Sequence, residues 1–126
     1  MPKNILVIDD EAALQKTLGV FLSTQGYSVL SALDGELGLQ TARKNLPDLI
    51  LLDLVMPKMN GFEVLQALKG DAATKKIPVI VLTNLSEMAD IDKVLELGAT
   101  TYLVKGDHAL TDILQKVKSI LGDELA

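Results

Sequence analysis

Cysteine is absent from the 126 residues. That excludes a disulfide framework, a thiolate metal site and a cysteine nucleophile, and it suits a reducing cytosol. Aromatic residues make up only 3% of the chain, so there is no stacking platform for single-stranded nucleic acid. Basic residues are outnumbered by acidic ones, 12 to 17, and the formal charge of −5 argues against binding a phosphate backbone, which takes clustered Lys and Arg. No apolar run approaches the roughly 18 residues of a membrane span, and Met1-Pro2-Lys3-Asn4 leads into a strand pattern without a signal-peptide layout. Nothing repeats at a period of about 20–50 residues. The expectation is one cytoplasmic domain over residues 1–126, with no output domain, no direct nucleic-acid partner and no membrane insertion. A chain of this length buries about 65–70% of its unfolded surface without staples.

What is present is organised around Pro47 to Pro57, PDLILLDLVMP. Leu49 to Leu52 read as a central strand buried on both faces, and the run delivers Asp53 to the point where that strand ends. Ile5-Leu6-Val7-Ile8 is a second buried strand, stopped by Asp9-Asp10. Asp10 can cap the next helix, in which Leu14, Leu18, Phe21 and Leu22 recur at helical spacing until Gly26. Tyr27 to Ala32 is a weaker strand nearer the edge. Asp34 can cap a helix from about Gly35 to Lys44, although Gly35 and Gly38 weaken it. After the turn Lys58-Met59-Asn60-Gly61 comes a helix with Phe62, Val64, Leu65 and Leu68, ending near Gly70.

Ile77 to Leu82 form a third buried strand, ending at Thr83-Asn84. Ser86 can cap a helix holding Ile91, Val94, Leu95 and Leu97, up to Gly98. Thr100 to Val104 is a fifth strand ending at Lys105. Asp107 can cap the last helix, where Leu110, Ile113, Leu114, Val117, Ile120 and Leu121 form one apolar stripe that stops at Gly122. Strand and helix alternate five times. This predicts an α/β, flavodoxin-like, doubly wound five-stranded parallel sheet in the order 2-1-3-4-5, with five helices in three layers. Asp9, Asp10, Asp53, Thr83 and Lys105 then converge at the carboxyl ends of the strands.

Three carboxylates this close repel, at about 4 kcal/mol per pair for charges ~4 Å apart in an effective dielectric of ~20. Lys105 supplies one compensating charge. A hard divalent cation would supply the rest, and Mg²⁺ is typically held by one or two carboxylates, waters and phosphate oxygens, a description that suits Asp10 and Asp53. His108, the lone histidine, has no partner pattern for zinc and reads as a surface residue. A carboxylate beside a metal and a lysine can act as a nucleophile toward phosphorus, while the cations neutralise the transferring group. The Thr83 hydroxyl can donate to a phosphoryl oxygen. Singly, each residue could be a cap, a strand terminator or a solvated charge; jointly, at four strand ends, they point to phosphoryl chemistry.

At this point the chain resembles the receiver domain of bacterial two-component response regulators, of the stand-alone CheY-like type, over essentially its whole length. The carrying motifs are ILVIDDE, LILLDLVMPKMNGFEVL, IPVIVLTN and TTYLVKG. The resemblance implies a phosphorylation-dependent switch rather than an enzyme. Asp53 would accept a phosphoryl group from a phosphohistidine of a sensor histidine kinase or phosphotransfer protein. Asp10, Asp53 and the Val55 carbonyl would hold Mg²⁺, with Asp9 nearby. Lys105 would pair with the phosphoryl oxygens, Leu54 and Asn84 would contact the phosphoryl group, and Thr83 and Tyr102 would act as the switch pair. It also implies an output face of fourth strand, following helix and fifth strand, a downstream protein partner, and a monomer able to dimerise on phosphorylation.

Two positions depart from the family pattern. Gly106 stands where many receivers have a cis proline; a cis bond before glycine costs about 2.5–4 kcal/mol, so a trans bond is expected. Asn84 stands where a small residue is usual, and would narrow access to the phosphoryl group or bond to it. Apolar Val55 and Leu85 lie where the family positions attacking water, which implies slow self-dephosphorylation. A phosphohydrolase of the haloacid dehalogenase type would want an acid at Val55, and a dinucleotide enzyme would want a Gly-rich turn in place of DDEAAL. A receiver that serves only as a binding module is the remaining alternative.

Overall fold

The computed structural model describes residues 2–85, 87–106 and 109–123. Five strands and five helices alternate: β1 (Asn4–Ile8), α1 (Ala12–Thr24), β2 (Ser28–Ala32), α2 (Gly35–Asn45), β3 (Leu49–Leu52), α3 (Gly61–Gly70), β4 (Val79–Thr83), α4 (Met88–Glu96), β5 (Thr101–Val104) and α5 (Leu110–Leu121). All pairings are parallel, in the order β2-β1-β3-β4-β5, as expected. The register sets Ile8 beside Leu52, so β1 and β3 finish level and place the residues after them side by side.

Alternation along the strands divides the core in two. Ile5, Val7, Leu49, Leu51, Ile80 and Leu82 face α1 and α5 through Leu18, Leu22, Ile113 and Val117. Leu6, Ile8, Ile50, Leu52, Val79 and Val81 face the other way, toward Leu39 and Ala42 of α2, Val64, Leu65 and Leu68 of α3 and Val94 of α4. The sheet is thus the middle of three layers. Each fully buried leucine contributes about 1.5–3 kcal/mol by taking its apolar surface out of water, and both faces of the sheet gain this. The strand ends are therefore held rigidly enough to carry a site.

Several local expectations shift. The N-cap of α1 is Glu11, with no side-chain cap bond, and Asp10 is exposed rather than capping. The Glu11 N–H instead donates to Asp9 Oδ1, two residues back, at 2.9 Å. β2 begins one residue late, at Ser28, since the Tyr27 N–H closes the end of α1 on Leu22 O and the Ser28 N–H is the first to cross to Lys3 O. β4 begins at Val79 because Ile77 N–H closes a turn on Thr74 O and Pro78 has no N–H to offer. Asp34 does cap α2, accepting from Leu37 N at 2.7 Å, and Gly26 and Gly122 end α1 and α5 with φ of +96° and +74°. The caps read at Ser86 and Asp107, and the surface role read for His108, fall outside the described residues; the described N-caps of α4 and α5 are Glu87 and Ala109. No cis peptide bond occurs among the described residues.

Candidate functional site

The level ends of β1 and β3 bring Asp9 and Asp53 together, and the Asp53 N–H donates to Ile8 O at 3.0 Å. One strand further out, Lys105 N–H donates to Thr83 O at 2.7 Å, which fixes where the lysine leaves β5. Its ammonium then reaches back across the strand ends. Lys105 Nζ lies 2.7 Å from Asp9 Oδ2, 3.2 Å from Asp53 Oδ2 and 3.2 Å from Glu11 Oε1. The Lys105, Asp9 and Asp53 side chains are at most 10% exposed, whereas that of Glu11 is 55% exposed. Carboxylate oxygens of Asp9, Asp10 and Asp53 all come within 4.8 Å of one another, with Asp10 on the solvent side.

One ammonium thus contacts three carboxylates, and a fourth, that of Asp10, lies beside two of them. Burial pushes the Asp9 carboxyl above its ordinary value; the Lys105 hydrogen bond and the Glu11 N–H oppose this, and the Asp53 charge adds to it. For Lys105, burial favours the neutral amine, but the Asp9 hydrogen bond, the Asp53 and Asp9 charges and the Glu11 contact outweigh it and raise its pKa. Lys105 is therefore a fixed cation at neutral pH, in a pocket that keeps excess negative charge. The donor set is hard oxygen only, of the kind that holds Mg²⁺ and not zinc, so the residues fit the ion expected here.

Asp53 is gripped from its own loop. Its Oδ1 accepts from Leu54 N at 2.8 Å and, at a longer 3.4 Å, from Val55 N, leaving Oδ2 for Lys105. Leu54 points into the core while the Val55 side chain is 57% exposed beside the pocket. The loop then returns over Asp53. Gly61 N–H donates to Leu54 O at 2.9 Å, and a Cβ at Gly61 would collide with the Asp53 carbonyl and the Leu54 Cα, so only glycine lets α3 start there. Lys58 takes a left-handed φ of +67° in the same loop, a strained choice for a non-glycine residue.

The remaining expected residues are spread around this centre. Thr83 is fully buried at the end of β4, with a long 3.5 Å contact from Leu85 N to its Oγ1, and it makes no bond to the carboxylates. Tyr102 on β5 is half-buried, its hydroxyl enclosed without a hydrogen-bond partner among the described residues, and its pKa is raised by burial and then by the Asp90 charge. Asn84 is exposed. It lines an open cleft of about 520 Å³ between α1 and α5, with Glu11, Leu14, Lys105, Leu110 and Ile113 among its walls. Sequence reading missed Glu11 as a partner of Lys105, Gly61 as the residue that lets the loop close, and Gln15. Gln15 carried a signal: it is a polar residue on the stripe it shares with Leu18 and Leu22, and all three are buried.

The receiver expectation can be set against known proteins. The family model described as "Response regulator receiver domain" matches residues 5–118. The chain is 40% identical to the "DNA-binding dual master transcriptional regulator RpaA" of Synechocystis, over 96% of this chain and 49% of that protein. It is 43% identical to "Response regulator PleD" of Caulobacter vibrioides, over 83% of this chain and 23% of that protein. Thus it spans half or less of the length of such curated relatives. Among solved structures, chemotaxis protein CheY4 of Vibrio cholerae superposes with a TM-score of 0.89 at 28% identity, covering 95% of this chain and 99% of that one. With acid pocket, lysine and strand order all in place and nearly the whole chain matched, the protein belongs to the response regulator receiver domain family.

Proposed function

We propose that Asp53 is the phosphoryl acceptor of a signalling switch and that the donor is the phosphohistidine of a sensor histidine kinase or phosphotransfer protein. Phosphorylation-dependent switching is the general function of this family. The observation that carries the site-level reading is the sharing of one buried ammonium, Lys105, between Asp9 and Asp53. In the transfer, an Asp53 carboxylate oxygen attacks phosphorus. The O–P bond forms as the bond from phosphorus to the donor's imidazole nitrogen breaks, and the electron pair stays on that nitrogen. Lys105, already 3.2 Å from Asp53, trades a carboxylate for a phosphoryl oxygen without a change of protonation. Asp10, Asp53 and the Val55 carbonyl, with Asp9 beside them, would hold Mg²⁺, which supplies charge neutralisation on the phosphoryl group. Leu54 and Asn84 border the same place.

Readout follows from population shift: the phosphoryl group favours the conformer that binds it better, and by that difference alone. Thr83, with no bond to the carboxylates among the described residues, turns its hydroxyl toward the added oxygens, and Tyr102, whose hydroxyl has no partner among the described residues, changes rotamer with it. The face of β4, α4 and β5 then meets a downstream protein. We place the protein in the cytoplasm without direct nucleic-acid contact by this domain, as a monomer able to dimerise when phosphorylated. No helix among the described residues is long and apolar enough to cross a membrane.

Intact mass after incubation with acetyl phosphate and Mg²⁺ tests the acceptor. One hydroxylamine-labile phosphoryl adduct is expected on the wild type and none on Asp53→Asn. An unmodified wild type, under conditions that label a control receiver, would favour the binding-module reading. Self-dephosphorylation is slow on this reading, since exposed Val55 offers no group to orient water. Val55→Asn should shorten the adduct half-life several-fold, and an unchanged half-life would remove Val55 from the account.

A further inference from the structure

We infer that Gln15 is a positioning residue for the acid pocket: its side-chain amide sets the orientation of the Asp9–Asp10 peptide, and through it the placement of Asp10 for Mg²⁺. The inference rests on the reading of the pocket as a Mg²⁺ and phosphoryl site. Gln15 is 5% exposed and lies one turn into α1, beneath the β1–α1 loop. Its Nε2 is 2.8 Å from Val7 O, 3.1 Å from Asp9 O and 2.8 Å from Ala32 O. These carbonyls belong to β1, to the acid loop and to the end of β2. The two N–H groups of this nitrogen are directed at Val7 O and Ala32 O at 2.8 Å, with Asp9 O at 3.1 Å sharing one of them, and the orientation is fixed because an oxygen in that place would face three other acceptors.

A buried polar side chain serving only the fold would be expected to satisfy both of its ends. Gln15 does not: its Oε1 is enclosed with no hydrogen-bond partner among the described residues. Its two N–H groups, by contrast, meet three carbonyls, one of them in the stretch that bears Asp9 and Asp10. Ala32 O already accepts from Asp9 N–H at 3.1 Å. The Asp9 backbone is thus held from both sides, by its N–H on β2 and by its carbonyl on Gln15, while its Oδ1 takes the Glu11 N–H. Exposed Asp10 makes no comparable side-chain contact among the described residues. Its direction depends on the peptide that precedes it, and that peptide is the one Gln15 grips.

The test compares wild type with Gln15→Met, which keeps the volume and removes the donor, and Gln15→Lys, which offers donors without an orphaned acceptor. Three readouts are taken: the metal-free thermal midpoint, the Mg²⁺ dissociation constant from amide shifts of Glu11 and Leu54, and the rate of adduct formation with acetyl phosphate. Gln15→Met should weaken Mg²⁺ binding on the order of tenfold, as loss of a group orienting a ligand does, and slow labelling in proportion when Mg²⁺ is subsaturating. Gln15→Lys should recover most of both. A lowered midpoint with Mg²⁺ affinity unchanged in Gln15→Met would overturn the inference and leave a purely structural clamp. Equal weakening in both variants would also overturn it, since the donor would then not be what matters. If the wild type binds Mg²⁺ but takes no phosphoryl group, the proposed function fails while the Mg²⁺ comparison still decides the role of Gln15.

Discussion

At the amino end of the sheet, Lys3 Nζ meets Asp123 Oδ1 at 3.0 Å, and the Tyr27 hydroxyl donates to Asp123 Oδ2 at 2.7 Å. At the carboxyl end, Lys105 is divided among Asp9, Asp53 and Glu11, with Asp10 close by. The same residue types thus have opposite consequences. Tyr27 first, and Lys3 after it, hold the Asp123 carboxyl below its ordinary value. Burial holds the Asp9 carboxyl above its own. One end is a closed latch between the start of β1, the start of β2 and the close of α5. The other is an account left open on the negative side, and a cation with a phosphoryl group would complete it. A receiver of this kind must be least settled where its ligand arrives, and the latch lets the fold tolerate that.

The largest separation of the two ends should come from deleting each lysine. Lys105→Met removes the ammonium that pairs with the two buried carboxylates Asp9 and Asp53 and should destabilise the metal-free protein by about 3 kcal/mol, read by urea unfolding at neutral pH. Added Mg²⁺ should recover part of that loss. Lys3→Met breaks a pair whose members are 40% and 31% exposed, and its loss should be much smaller. Equal losses would mean that the carboxyl-end charges are already relieved by solvent.

A smaller effect of opposite sign is expected from the acids. The folded pKa of Asp9 is raised, so metal-free stability falls as pH rises through the window just above its ordinary value of 3.8. Asp9→Asn removes that fall. At neutral pH it should stabilise the metal-free protein on the order of 1 kcal/mol, the difference between relieved repulsion and the lost bond to Lys105. Asp10→Asn acts in the same direction but less, because Asp10 is exposed. Both should weaken Mg²⁺ binding. A metal-free Asp9→Asn protein less stable than wild type would show that the Lys105 bond outweighs the repulsion.

The strand order and the five ends were legible in the sequence because a buried parallel strand is a short apolar run, and what halts it is visible. Asp53, Asp9 and Lys105 could be read that way. Glu11 could not, because its bond to Lys105 depends on how far the lysine reaches back across three strands, and no local pattern encodes that reach. Asp10 was read as a cap because it precedes a helix; backbone geometry gave the Glu11 N–H to Asp9 instead. Gly61 looked like a turn residue, yet its need is set by the close approach of the loop to Asp53. Asn84 lies exposed on the cleft that Lys105 and Glu11 also line, and its side-chain direction at a loop entry is not fixed by strand alternation.

The finest distinction lies in the pH profile of the latch. The depressed Asp123 pKa contributes stability that is present above its ordinary value of 3.8 and is lost as pH falls through the folded value. Tyr27 behaves as the mirror case. Its pKa is raised to about 12, first by burial and then by the Asp123 hydrogen bond and charge, so its contribution is present below the ordinary value of 10.0 and is lost as pH rises toward about 12. One hydrogen bond therefore feeds both limbs. Tyr27→Phe should shallow the acid limb and the alkaline limb of the metal-free thermal midpoint together, by a few degrees each, while leaving the slope due to Asp9 in place. Below the ordinary value of 3.8, where Asp123 titrates, the variant should gain less stability with rising pH than wild type does, while the fall due to Asp9 just above that value is unchanged. If only the alkaline limb responds, Lys3 alone holds Asp123, and the latch reduces to a surface ion pair no different in kind from Arg43–Asp71 at 3.1 Å.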